Sequence, residues 1–127
     1  MKGYRDSEIT VIEQDLKRCR ELKGLIEAEK ERIKIVVDTY IKLNGKSLTE
    51  PYIADESILD GYINERNLLV NKYLIEIVHL NNKERVILLD YYIDCICIKT
   101  IAKKLNCNER QVVYAKKQAL IRLANRG

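Results

Sequence analysis

The chain has 127 residues, 46% hydrophobic and 33% charged, with one Pro, five Gly and neither Phe nor Trp. That composition fits one folded, helix-rich domain or a domain with an extension, and excludes a disordered or low-complexity chain. The formal charge of +4 is unevenly placed: residues 1–80 hold 13 Lys/Arg against 15 Asp/Glu (−2), and residues 81–127 hold 10 against 4 (+6). A basic end on a near-neutral body points to a polyanion as partner.

No run reaches the roughly 20 apolar residues of a membrane span. The opening MKGYRDSE has no apolar stretch of signal-peptide type, so a cytoplasmic protein is expected. Cys19, Cys95, Cys97 and Cys107, with His79, could be arranged as a zinc set. They lack the CxxC pairs of structural zinc sites, so no metal is expected and the thiols read as reduced. His79, near a helix end, reads as structural. No nucleophile–base pair, carboxylate dyad or Gly-rich phosphate loop occurs, and neither catalysis nor a cofactor is expected.

In chain order, Asp6 to Leu43 predicts one long helix. Asp6 is its candidate N-cap, Asn44-Gly45 its stop, and an apolar stripe runs from Ile9, Ile12, Leu16, Cys19 and Leu22 to Val37 and Tyr40. At about 1.5 Å per residue it would be on the order of 55 Å long, too long to bury its stripe alone. Residues 46–57, with Pro51, read as a loop with a short turn near Tyr52, in which Asp55 or Ser57 caps the next helix. Ile58 to about Leu80 predicts a second helix with Leu59, Tyr62, Ile63, Leu69, Val70, Tyr73, Leu74, Ile77 and Leu80 as its apolar face. An antiparallel hairpin of coiled-coil type buries both stripes. The longer helix overhangs, which suggests a homo-oligomer, a dimer, formed through the hairpin.

Asn81 and Glu84 imitate a capping box for a helix Lys83 to Ile93 facing inward through Val86, Leu89 and Tyr92. A short helix from Ile98 to Leu105 then turns at Asn106-Cys107-Asn108 into a last helix. Asn108 and Gln111 are placed as its reciprocal cap, and Val112, Ala115, Ala119, Leu120 and Leu123 as its inner face. Two helices joined by a tight turn, the second with a polar outer face, have the form of a helix-turn-helix. The expected architecture is therefore all-α: residues 1–80 as a long helical hairpin, and 81–127 as a three-helix DNA-binding domain.

Site roles follow from chemistry. Lys99, Thr100, Lys103, Lys104, Lys116, Lys117 and Arg122 suit phosphate contacts. Arg110 can grip a guanine bidentately, Gln111 can pair with adenine, and Tyr114 can touch a thymine methyl or a phosphate. Asn108 and Glu109 stand where groove contact begins. Glu109 either accepts from cytosine or stabilises the helix start, and Gln111 serves either the base or the cap.

The stretch ERVILLDYYIDCICIKTIAKKLNCNERQVVYAKKQALIRLA resembles region 4 of bacterial sigma factors. The resemblance rests on Glu84-Arg85, Leu88-Leu89, Tyr92, Ile101-Ala102, Leu105, Val112, Ala119-Leu120 and Leu123, and covers residues 81–125. Joined to a helical hairpin, it is similar to phage late transcriptional regulators of the ArpU/RinA type. That likeness implies a sequence-specific regulator of transcription, an activator of phage or mobile-element late genes, with the helix Glu109 to Ala124 in the major groove of double-stranded DNA. Two other readings remain: a small terminase-like packaging subunit, or a sigma-like adaptor docking on RNA polymerase. Cys97 stands where such motifs often carry a Ser or Thr cap, which predicts a weak or water-mediated cap. Val113-Tyr114 replaces further Arg and Gln, so the target sequence does not follow from the resemblance.

Overall fold

The computed structural model describes residues 2–45 and 55–126, and every regular element among them is helical. Helix α1 spans Lys2–Asn44, α2 Ser57–Val78, α3 Asn82–Leu88, α4 Ile98–Lys104 and α5 Glu109–Arg126, and α3 continues into a π-helical turn, Leu89–Ile93. No helix among the described residues is long and apolar enough to cross a membrane. The turn expected near Tyr52 lies outside the described residues.

α1 begins earlier than the Asp6 start that was expected. It ends as predicted: Gly45 takes φ +66 and its N–H bonds Ile41 O at 2.7 Å, a left-handed stop open to glycine. The Asp55 carboxylate accepts the Ser57 N–H at 2.9 Å at the start of α2, and this bond holds the carboxyl below its ordinary pKa. α1 and α2 run antiparallel. Arg18 forks onto Glu65 at 2.7 and 3.0 Å, and Asp15 takes Lys72 at 3.2 Å and the Tyr73 hydroxyl.

The expected boundary at residue 80 does not divide the core. One cluster joins Leu16 of α1, Tyr73 and Ile77 of α2, Leu80, Leu88 and Tyr92 of the third helical stretch, and Ala119, Leu120 and Leu123 of α5. A second, smaller cluster holds Ile87, Ile101, Ala102 and Val112. α3 lies between the two, so the neighbours Ile87 and Leu88 are both fully buried. Of the predicted inner face, Tyr92 is fully buried and Leu89 packs on the first cluster, whereas Val86 is only half-buried; Ile87 and Leu88 were not expected, because the helix has two apolar sides rather than one. Leu74, placed in the apolar face of α2, is instead exposed at the edge of that face.

The π turn leaves carbonyls without helical donors, and cations from α1 and α2 take them. Arg20 donates to Tyr91 O and lies over the Tyr91 ring, 4.2 Å from its centroid. Lys23 donates to Asp94 O at 3.1 Å, and Arg66 to Ile93 O at 2.7 Å. Positive charge at a helix C-terminus also meets the negative end of the helix dipole. These contacts fasten the body to the basic end.

Candidate nucleic-acid interface

The turn between α4 and α5 is a Schellman motif. Asn106 adopts φ +54, its N–H bonds Lys103 O at 3.2 Å, and the Cys107 N–H reaches back to Ala102 O at 3.0 Å. Asn is the non-glycine residue that best tolerates this left-handed conformation. Half-buried Cys107 packs on the second cluster beside Ala102, which closes the motif. At the other end of α4, Cys97 sits at the cap position with no side-chain bond to the backbone; its sulfur pairs with the Thr100 hydroxyl at 3.1 Å. That hydrogen bond lowers the thiol pKa.

α5 opens with a reciprocal cap. Gln111 N–H donates to Asn108 Oδ1 at 2.8 Å, and Asn108 N–H to Gln111 Oε1 at 2.9 Å. Both amide oxygens therefore accept from the helix start, and the NH2 groups of these two residues remain as donors for a base edge. Glu109 is exposed in the first turn, where a carboxylate favours the positive helix end.

Three cations assigned to phosphate also make contacts within the chain. Arg122 Nε binds the carboxylate of buried Glu84 at 2.7 Å, and Lys104 Nζ binds buried Asp90 at 3.0 Å. Lys116 lies over the Tyr91 ring at 4.3 Å. Releasing Arg122 or Lys104 would leave a buried carboxylate unpaired, a penalty of roughly 1–3 kcal/mol or more. These contacts fasten the fold, while Arg122 and Lys104 stay exposed with further N–H donors facing solvent. The Glu84–Arg122 pair also corrects the capping box at α3: Asn81 Oδ1 accepts the Glu84 N–H at 2.9 Å, but the Glu84 carboxylate turns to Arg122 instead of returning to Asn81.

What remains on the outer face of α5 is Arg110, Val113, Tyr114 and Lys117. They are spaced at three, four and seven residues and all exposed, Val113 at 50% and Tyr114 at 66%. Lys99, Thr100 and Lys103 of α4 are exposed as well. Arg110, Gln111 and Tyr114 line one wall of a groove of about 910 Å³ whose other wall is Asn81, Asn82 and Lys83 at the start of α3. Gln118 lines the same groove. Lys83 and Gln118 were missed from sequence: Lys83 was read as helix start and Gln118 was given no role. The four-residue spacing from Tyr114 to Gln118 could have suggested the latter.

Among the described residues no group of three His, Cys, Asp or Glu side chains could hold a metal, and the four cysteines are free. Cys19 is fully buried, and burial pushes its thiol pKa up to about 11. The face offers donors, one guanidinium and one phenol. No protein-family model, curated protein or solved structure matches the chain.

Proposed function

We propose that the protein is a sequence-specific DNA-binding regulator of transcription, with α4 and α5 as a helix-turn-helix of the sigma region 4 kind and the outer face of α5 in the major groove. The observation that carries this reading is the α5 face itself. Arg110, Tyr114 and Lys117 stand exposed in one row, beyond a fixed Asn106 turn, on the part of the chain that holds the +6 charge. A guanidinium can bridge guanine O6 and N7, and the phenol and the lysine reach bases or phosphates nearby. Lys99 and Lys103 then grip phosphate on the flank, with Thr100 beside them. The role in late genes of a phage or mobile element, and any contact with RNA polymerase, rest on the sequence resemblance alone.

Binding-site selection from random double-stranded DNA tests the proposal. Enrichment of a recurrent motif supports it; retention of random DNA with no enrichment at moderate salt contradicts it. Sedimentation separates the packaging alternative, which requires a ring of many copies rather than one or two.

A further inference from the structure

A helix at a protein surface ordinarily turns its charged side chains to water and its apolar stripe inward. Over Asn64 to Val78, α2 buries Tyr73 and Ile77 in that way, but it also leaves a second, apolar row outward. Glu65 and Lys72 are tied to α1, Arg66 reaches the Ile93 carbonyl, and Glu76 lines a groove with Val11 and Leu123. The opposite face is left with Asn64, Leu68, Asn71, Ile75 and Val78, all exposed, with Leu68 at 73% and Ile75 at 66%. Their spacing is four, three, four, three, the seam of a coiled coil.

We infer that this face of α2 is covered by the same face of a second copy, the two α2 helices lying parallel and in register. The occupant follows from complementarity. The seam carries no charge, so it accepts an uncharged helix, and it supplies two amides, each both donor and acceptor, that a copy of itself satisfies. The orientation follows from the order of residues. In a parallel pair Asn64 meets Asn64, Leu68 meets Leu68, Asn71 meets Asn71 and Ile75 meets Ile75, giving alternating amide and aliphatic layers. An antiparallel pair sets Asn64 against Ile75 and Asn71 against Leu68, which strands each amide on a hydrocarbon. The near-neutral body can associate in this way, whereas the basic ends repel. The seam is about 21 Å long, which gives an interface at the low end of specific ones. Parallel pairing brings both α5 helices to one end of the dimer. That consequence gains meaning from the DNA reading, but the pairing stands without it.

The test uses the full chain without DNA, in a Cys97→Ser background. Sedimentation at roughly 100 µM should give a dimer. Leu68→Glu with Ile75→Glu should give a folded monomer, since both positions are exposed, while Val11→Glu, on an exposed site of α1, leaves the dimer intact. Asn64→Cys should form a disulfide between copies on oxidation; in an antiparallel pair those positions would lie about 16 Å apart, beyond the reach of a disulfide. A monomeric parent protein, a dimer that survives the double substitution, or failure of Asn64→Cys to cross-link overturns the inference.

Discussion

Helices α2 and α5 both hold large apolar side chains in solvent, but in opposite charge settings. On α5, Val113 and Tyr114 stand among outward Arg110 and Lys117; on α2, Leu68 and Ile75 stand among asparagines, and the nearby Glu65 and Lys72 pair with α1. An apolar group amid cations suits a polyanion whose grooves also carry methyl groups. An apolar group amid amides suits another helix. The charge beside an exposed hydrophobic side chain, more than the side chain itself, indicates what will cover it.

The comparison requires both faces to be mounted on one core, and Leu16 tests that first. It is fully buried in the cluster that joins α1, α2, α3 and α5. Leu16→Ala should cost roughly 2–5 kcal/mol and lower the melting of all helices in a single transition. Two separate transitions by calorimetry would mean two bodies. Next is Arg122, which lines the same groove as Arg110 and Tyr114 but pairs through Nε with buried Glu84. Arg122→Ala should lower unfolding stability by roughly 2–3 kcal/mol in chemical denaturation. It should leave the sequence preference of DNA binding unchanged; a changed preference would return Arg122 to the reading face.

A smaller effect is expected at the α5 cap. Asn108→Ala should cost about 1 kcal/mol of stability, measured by denaturant midpoint, through the lost bond to Gln111 N–H. Lys117→Ala should weaken binding to all DNA sequences alike and lower the slope of log K against log salt by about 1. A sequence-dependent loss would make Lys117 a base reader.

Local features of this chain were legible in its sequence, because each is written within a few residues. The Asn106 turn, the Asn108–Gln111 cap, the Gly45 stop and the stripe Leu16, Cys19, Leu22 need only near neighbours and a 3.6-residue period. What escaped depends on residues far apart. Glu84 and Arg122 are 38 positions apart, and Arg20 and Tyr91 are 71 apart. Charges at such separations carry no periodic signal, so Arg122 and Lys104 looked free for phosphate. α3 misled for a different reason: a helix between two clusters buries Ile87 and Leu88 together, and a single-stripe reading passes over both. On α2, an apolar stripe wide enough to include Leu74 concealed the second, outward face.

The central claim is that the outer face of α5 reads DNA, and Arg110 tests it most directly. Equilibrium binding of the parent protein and of Arg110→Ala should be compared on a selected site and on every single-base variant of it. The account predicts that the substitution costs roughly 1–3 kcal/mol on the selected site and abolishes discrimination at one base pair while the others keep theirs. Unchanged affinity and unchanged preference at every position would contradict it.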